Sequence, residues 1–202
     1  ARGMGMDRRI GSNFLKAGIG YGGSCFPKDT KALNFQSDHA GVKLKTVKAT
    51  IDVNREQRTR LIDKARRFFP TFRDVRVAII GLTFKPGTDD LREAPAKQNI
   101  DILLNEGADI IAWDPLGAEN FRKRYPNCAI NFAKDIDEAL TDADVCLIMT
   151  EWEKIVEYPL DNYKKYMRRP LVFDGRNCYK LSEVEKHEIF YDSIGRKIVD
   201  TL

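Results

Sequence analysis

The amino-acid sequence predicts an α/β protein in which a helical segment, residues 1–70, precedes a doubly wound parallel sheet, residues 71–202. Two observations carry this prediction. Apolar residues along much of the first segment are spaced three and four apart, which is the helical period. From residue 74 onward, short apolar runs alternate with helical patterns, and strands that alternate with helices form parallel sheets.

Two helices are predicted in the first segment. Residues 27–41 are expected to be helical, because Pro27 suits the first turn of a helix and a glycine stands at the end. Residues 42–69 indicate one long helix, since apolar side chains recur at helical spacing until Pro70 ends the pattern. Within it, the polar stretch 54–58 is expected to be exposed.

The second segment alternates strands and helices. Its first strand, residues 75–81, is mostly apolar and is expected to be buried, and Asp135 is expected to cap a helix. The other elements are predicted, in order, as helix 94–106, strand 108–114, helix 118–125, strand 129–132, helix 135–143 and strands 145–150, 171–174 and 189–192. This order is typical of a Rossmann-like sheet.

Composition and charge exclude several classes of protein. The 34 basic and 30 acidic side chains leave a net charge of +4, with both signs interspersed. Nucleic-acid-binding proteins usually show a denser basic stripe, so no nucleic-acid partner is expected. The small excess indicates an ordinary solvated surface, and the other interpretation is an anionic small-molecule substrate. No apolar run approaches the roughly 18 residues of a membrane span, so no membrane partner is expected.

The four cysteines indicate a reducing, cytoplasmic setting. They lie far apart, no Cys-x-x-Cys pair occurs and there are two histidines, so no metal site is expected. Cys146 lies inside the apolar run 145–149 and is expected to be a buried core thiol. The N-terminus lacks the apolar core of a signal peptide.

The glycine-rich stretch 18–23 matches the G-x-G-x-x-G fingerprint of dinucleotide-binding proteins, and Asp38 follows at a suitable distance. We reject this interpretation because the fingerprint requires a strand before the glycines and a second strand that ends at the acid. Residues 13–16 are too short and mixed for a strand, and Asp38 lies in a helical pattern.

A ligand is better expected after the first strand of the sheet. The turn 81–87 lacks the three glycines, so its backbone cannot approach a diphosphate in the usual dinucleotide manner. Lys85 and Arg92 nevertheless lie near the carboxyl end of this strand, where open α/β sheets bind ligands. These two cations favour a phosphate-bearing ligand, although plain surface charges fit them equally well.

Cys25 carries the sharpest local signal. It lies just before the helix that Pro27 begins, and the partial positive charge at a helix N-terminus favours a thiolate. Lys28 adds a nearby cation, and Asp29 falls four residues after Cys25, on the same side of the first turn. These groups suit covalent catalysis at a carbonyl carbon, and the neighbouring glycines would let a substrate approach the sulfur. The alternative is a structural cysteine under a glycine turn.

Together these stretches resemble the UDP-glucose/GDP-mannose dehydrogenase family, and its UDP-glucose 6-dehydrogenase branch best. The resemblance covers the whole chain in order and spacing. It is carried by Arg-Ile-Gly at 9–11, Phe-Leu-Lys-Ala-Gly at 14–18, Gly-Tyr-Gly-Gly-Ser-Cys-Phe-Pro-Lys-Asp at 20–29, Gly-Leu-Thr-Phe-Lys at 81–85 with Asp89, Asp90, Arg92 and Glu93, and Asp-Gly-Arg-Asn at 174–177.

The resemblance implies a three-part enzyme. Residues 1–70 correspond to the end of a central helical dimerisation domain with its cysteine loop and long connecting helix, and residues 71–202 to a C-terminal UDP-sugar-binding domain. The N-terminal NAD-binding domain is expected to be absent from this chain, so the chain alone is expected to be inactive. Dimerisation, or a higher homo-oligomer, would complete the site.

The implied reaction is the NAD-dependent double oxidation of UDP-glucose to UDP-glucuronate, a precursor for polysaccharide biosynthesis, through a thiohemiacetal and a thioester on a cysteine. By matching position, Cys25 is the nucleophile and Asp29 the acid near the attacking water, while Lys28 and Arg92 bind NAD. The implied substrate-binding residues are Arg9, which reaches the neighbouring subunit's substrate, Phe14, Leu15, Lys16, Ala17, Gly18, Tyr21, Gly22, Lys85 and Arg176.

Two alternatives remain open. A sister nucleotide-sugar dehydrogenase, for GDP-mannose or a UDP-N-acetylhexosamine, shares the Gly-Gly-x-Cys core. As an isolated fragment, the chain would be a non-catalytic UDP-sugar-binding or dimerisation module. A comparison of turnover across nucleotide sugars separates the first alternative, and UDP binding without NADH formation identifies the second.

Overall fold

The computed structural model describes residues 1–202 and has the predicted α/β architecture. Four helices precede the sheet, namely α1 (Arg2–Gly5), α2 (Phe26–His39), α3 (Lys45–Gln57) and α4 (Arg60–Ala65). The sheet segment then runs β1 (Arg76–Ile80), α5 (Pro95–Asn105), β2 (Asp109–Trp113), α6 (Gly117–Arg124), β3 (Asn131–Phe132), α7 (Ile136–Leu140), β4 (Val145–Ile148), α8 (Glu153–Val156), α9 (Asp161–Tyr166), β5 (Leu171–Asp174), α10 (Leu181–Val184), β6 (Phe190–Ser193) and β7 (Val199–Asp200).

The seven strands form one sheet in the order β3-β2-β1-β4-β5-β6-β7. All neighbouring pairs are parallel except β6 and β7, which are antiparallel. Side chains of β1 alternate between two separate cores, with Val77 and Ile79 in one and Ala78 and Ile80 in the other. Because both faces are buried, the strand is apolar throughout its length, as parallel strands covered on both faces usually are.

The prediction of one long helix over residues 42–69 is wrong. The structure has two helices, α3 and α4, separated at Arg58 and Thr59. The buried Asn99 side chain donates from Nδ2 to the Arg58 carbonyl at 2.9 Å. A side chain that takes a carbonyl from the helical ladder bends the helix. The expected exposure of 54–58 also fails at Asn54, which is 8% exposed.

The other predicted elements are confirmed, including the Asp135 cap, whose side chain accepts from the Glu138 N–H. Five elements, α1, α8, α9, α10 and β7, are not predicted by the sequence pattern. These elements span two to six residues, too few to show a helical or strand period. No helix in the structure combines the length and apolar character needed to cross a membrane.

The loop between α1 and α2 docks at the carboxyl end of the sheet. Ile19 is fully buried in the core, and its N–H donates to the Gly175 carbonyl at 2.9 Å. Gly175 is needed there, because a Cβ on it would lie 2.8 Å from the Ile19 side chain. The first segment therefore brings its cysteine loop to the edge where parallel sheets bind ligands.

Candidate functional site

Cys25 is the N-cap residue of α2 and is exposed. Its carbonyl accepts the Asp29 N–H at 2.8 Å, so the two residues lie one above the other on the first turn. Asp29 forms an exposed ion pair with Lys28, with 3.2 Å between Oδ1 and Nζ. The thiol therefore lies at the positive end of a 14-residue helix and shares a cavity with Lys28, whereas Asp29, the predicted acid, does not line that cavity.

The thiol opens on a cavity of about 750 Å³ whose wall has more basic than acidic side chains. Eight residues line it, namely Gly23, Ser24, Cys25, Lys28, Lys31, Arg92, Glu93 and Arg124. Four basic side chains thus face one carboxylate. A polar, cationic cleft of this size suits an anionic ligand such as a phosphate ester or diphosphate.

Besides Lys28, which pairs with Asp29, two more of these cations are held by carboxylates. Arg92 donates to both oxygens of Asp90, which raises the pKa of Arg92 and lowers that of Asp90. Lys31 pairs with Glu93 at 3.0 Å, and Arg58 donates to the other oxygen at 2.8 Å. These hydrogen bonds hold the pKa of Glu93 below its usual range.

The glycines before Cys25 also have a packing role that the sequence did not predict, because their missing side chains make room for other parts of the chain. A Cβ on Gly22 would lie inside 3.0 Å of the Glu93 carbonyl oxygen. A Cβ on Gly23 would lie 2.8 Å from the Phe84 ring, and Gly23 has a φ of 84°. The glycines therefore allow the cysteine loop to pack directly on the loop that follows β1.

Side chains from α3 and from the turn between α3 and α4 bind the backbone of the cysteine loop. Gln57 Nε2 donates to the Gly18 carbonyl at 3.2 Å. Asn54 bonds both the N–H and the carbonyl of Tyr21, and Arg58 donates to that carbonyl at 3.3 Å. The sequence predicts no role for these three side chains, which belong to the polar stretch 54–58 that is expected to be exposed.

Arg176, predicted to lie near the substrate or the subunit contact, binds the cysteine loop in the structure. Its Nη1 donates to the Gly20 carbonyl at 3.0 Å and its Nε to the Met149 carbonyl at 2.9 Å. Glu151 forms an ion pair with it at 3.3 Å. Burial lowers the pKa of the guanidinium, and its Nη2 has no hydrogen-bond partner. Arg176 therefore joins the sheet to the loop in the structure.

Other predicted substrate residues lie outside the cavity. Arg9 is 82% exposed and pairs with Asp7, while Phe14 is 85% exposed and lies 6.1 Å from the Phe26 ring. Lys85 is exposed, with its Nζ 5.4 Å above the Phe84 ring. Of the rest of the predicted set, Leu15, Gly18, Tyr21 and Gly22 are half-buried, and Lys16 and Ala17 are exposed.

The carboxylate of Asp114, which the sequence analysis did not assign, occupies the position after β2. Its oxygens accept from the backbone N–H groups of Leu82 at 2.7 Å and Gly117 at 2.6 Å, and from Trp152 Nε1 at 3.1 Å. The backbone N–H groups in the turn after β1 are therefore bonded to a side chain of the protein, Asp114. Of the two cations expected near this turn, Arg92 lines the cavity and Lys85 does not.

The remaining cysteines have environments unlike that of Cys25. Cys146 is fully buried, as predicted, and burial raises its pKa. Burial also raises the pKa of Cys178 and of Cys128. Cys25 is thus the one exposed thiol among the four.

Comparison with known proteins identifies both halves of the chain. The model of the UDP-glucose/GDP-mannose dehydrogenase family's central domain matches residues 1–56, and that of the family's UDP binding domain matches residues 78–181. The chain is 44% identical over 199 residues to UDP-glucose 6-dehydrogenase YwqF of Bacillus subtilis, covering 98% of this chain and 45% of the relative. It is 42% identical over 197 residues to UDP-glucose 6-dehydrogenase of Rhizobium meliloti, covering 97% and 45%.

A solved structure gives the same result. The UDP-glucose dehydrogenase from the archaeon Pyrobaculum islandicum superposes with a TM-score of 0.81 at 29% identity, covering 95% of this chain and 41% of that one. The chain spans less than half the length of the curated relatives that it matches. Since family models match most of its length, in the same order, the chain belongs to the UDP-glucose/GDP-mannose dehydrogenase family.

Proposed function

We propose that the complete protein oxidises UDP-glucose to UDP-glucuronate with NAD as cofactor. The observation that carries this proposal is the exposed Cys25 thiol at the start of α2, opening on a cationic cavity of about 750 Å³. A nucleophile that can bond a carbonyl carbon, beside a cleft for phosphates, suits the oxidation of a nucleotide sugar to an acid. The names of the relatives support UDP-glucose as the sugar nucleotide.

Cys25 performs the covalent step. Its thiolate adds to the C6 aldehyde, so that a carbon–sulfur bond forms and the carbonyl oxygen takes up a proton as a thiohemiacetal. NAD⁺, when bound, supplies the hydride acceptor for both oxidations. Cys25 then holds the oxidised carbon as a thioester. Water attacks this carbon, the carbon–sulfur bond breaks, and Asp29 takes the proton that the water releases.

The cavity wall fits an anionic cofactor. Lys28 and Arg92, the predicted cofactor residues, both line it. Lys31 and Arg124 extend the same wall, and charged hydrogen bonds to phosphate are the strong ones. These residues would hold the diphosphate of the dinucleotide, while the rest of the cofactor would bind a separate N-terminal domain of the complete protein.

The organisation expected from the sequence remains part of the proposal. Residues 1–70 would complete a dimerisation domain and residues 71–202 would bind the UDP moiety. Arg9 and Phe14, both exposed, suit contacts with a second subunit or with substrate. Four free cysteines suit the cytoplasm, where thiols stay reduced.

The test uses Cys25→Ser in the complete protein, with Cys178→Ser as a matched thiol control. Serine supplies a far weaker nucleophile at the same position. We expect steady turnover to collapse while UDP-glucose binding remains, with about one NADH formed per site in the first phase. The control should form two NADH per sugar.

Sustained formation of two NADH per sugar by Cys25→Ser would exclude the covalent mechanism. Faster turnover of GDP-mannose or a UDP-N-acetylhexosamine by the unmodified protein would assign the chain to a sister dehydrogenase instead. The isolated chain is expected to bind UDP and to form no NADH.

A further inference from the structure

Asn54 makes an unusual pair of contacts for a residue inside a helix. It lies within α3 and is buried, although asparagine is not a favoured interior helix residue. The Tyr21 N–H donates to Asn54 Oδ1 at 2.8 Å, and Asn54 Nδ2 donates to the Tyr21 carbonyl at 3.2 Å. One side chain thus bonds both backbone groups of a residue 33 positions away, as a strand partner would.

The contact between Asn54 and Tyr21 explains why residue 20, just before Tyr21, is a glycine. Gly20 has a φ of 92°, in the left-handed region that favours glycine. A Cβ on Gly20 would also collide with Asn54 Oδ1. The close approach of the carboxamide therefore requires glycine at this position, which accounts for one glycine of the rejected dinucleotide fingerprint.

Tyr21 in turn determines where the thiol lies. Its ring stands edge-on to the ring of Phe26, the first residue of α2, with 6.1 Å between centroids. Only three residues separate Tyr21 from Cys25, and one of them, Gly23, donates its N–H to the Arg92 carbonyl at 2.8 Å. The stretch from Tyr21 to Cys25 is short, and its backbone is bonded at Tyr21 and at Gly23. A shift of Tyr21 would therefore displace the Cys25 thiol.

The neighbouring side chains at the end of α3 and in the turn after it cannot replace Asn54. Gln57 binds the carbonyl of Gly18, and Arg58 shares the Tyr21 carbonyl. Both are donors in these contacts, whereas the Tyr21 N–H needs an acceptor. Loss of the carboxamide would leave this half-buried N–H unsatisfied, which is costly.

We propose that Asn54 is a positioning residue for Cys25, which holds the thiol where it meets the C6 aldehyde. The inference rests on the proposed oxidation, because positioning matters only if the thiol reacts with a bound carbonyl. A reacting group displaced by about 1 Å loses about 100-fold in rate. Asn54 bonds only the backbone of Tyr21 and does not line the cavity, so its loss should lower kcat more than it raises KM for the sugar nucleotide.

The test is Asn54→Leu in the complete protein, a replacement of similar size without hydrogen-bonding atoms. We expect hydrogen exchange of the peptide that contains Tyr21 to accelerate by about 5- to 150-fold, the range for a lost buried hydrogen bond. We expect kcat to fall by about 10- to 100-fold while KM for UDP-glucose stays within about threefold. Asn54→Asp keeps the acceptor for the Tyr21 N–H and should recover part of kcat.

Tyr163→Phe is the matched control for a general loss of stability. It removes one buried hydrogen bond, between the Tyr163 and Tyr179 hydroxyl groups at 2.8 Å, in the core on the other face of the sheet. Its kcat and the exchange at Tyr21 should equal those of the unmodified protein. If Asn54→Leu does not fold, Gly20→Ala disturbs the same contact from the loop side and should give the same split between kcat and KM.

Three results would overturn the proposal: unchanged exchange at Tyr21, faster exchange with an unchanged kcat, or an equal loss of kcat in Tyr163→Phe. Failure of the unmodified protein to oxidise any nucleotide sugar is a different result. It would refute the proposed function, and with it the catalytic role of Asn54, while faster exchange in Asn54→Leu would still establish the clamp on Tyr21.

Discussion

Replacement of Gly22 by alanine tests whether the cysteine loop is held by direct packing on the loop after β1. An added Cβ would meet three atoms of that loop. The Glu93 carbonyl carbon and the Phe84 Cβ would each lie 3.0 Å away, and the Glu93 carbonyl oxygen closer still. Two of these atoms belong to the backbone, so no side-chain rotation relieves the contact. The loops must separate, and the Cys25 thiol must move with them.

The size of the effect follows from these distances. Ordinary contact begins at 3.4 Å, so the loops must separate by more than 3.4 − 3.0 = 0.4 Å. Overpacking that shifts backbone costs about 1–3 kcal/mol of folding free energy. With a urea m-value of about 2 kcal/mol/M, this lowers the unfolding midpoint by about 0.5–1.5 M. In the complete protein, a displacement of this order should lower kcat by about 10- to 100-fold.

Urea unfolding of the 202-residue chain measures the first quantity, and NADH formation by the complete protein the second. Gly3→Ala is the control, because a Cβ on Gly3 has nothing within 4 Å and the glycine lies in helix α1. Its midpoint should stay the same or rise slightly, since alanine favours helices. Equal midpoints for Gly22→Ala and Gly3→Ala would refute the account of how this loop is held.

Three further outcomes are expected. Iodoacetamide should label Cys25 before the other three thiols, whose pKa values burial raises, and peptide mapping that finds Cys128 labelled first would contradict this. Lys85 lies outside the cysteine cavity, but the family resemblance places it at the substrate, so Lys85→Ala in the complete protein should weaken UDP-glucose binding by about 10- to 150-fold in calorimetry. An unchanged affinity would remove Lys85 from the site. Glu93→Gln should lower the urea midpoint at about pH 7 and leave it nearly unchanged at about pH 3. The pKa of Glu93 is lowered in the folded protein, so the Glu93 ion pairs stabilise the fold above the ordinary value of 4.5, and this stabilisation is lost as the pH falls through the folded-state pKa. An equal drop of the urea midpoint at both pH values would count against the ion pairs.

The elements of the fold were predictable where the local pattern is long. The apolar run of β1 and the alternating segments that follow carry a period that spans the whole element, and the structure has them within a few residues. The division of residues 42–69 was not predictable, because it depends on Asn99, a side chain 41 positions from the carbonyl that it binds. The short helices and β7 carry too few residues for a period.

The candidate site divides in the same way. The position of Cys25 at a helix start follows from Pro27, two residues away, and the rejection of a dinucleotide site at residues 18–23 follows from the missing strands. The cationic wall of the cavity did not follow, because Arg124 comes from α6, about a hundred positions along the chain.

The amino-acid sequence alone is enough to predict the class of fold, the helix that begins at Cys25 and, through its motifs, the family. These depend on interactions between residues a few positions apart, or on motifs that can be read in order. The roles of the glycines, in contrast, depend on which distant residues pack against them. Gly20, Gly22 and Gly23 look alike in the sequence, yet each admits a different neighbour: the Asn54 carboxamide, the Glu93 backbone and the Phe84 ring. Such neighbours are set by how the helices pack on the sheet, and close packing between distant segments leaves no local pattern in a sequence.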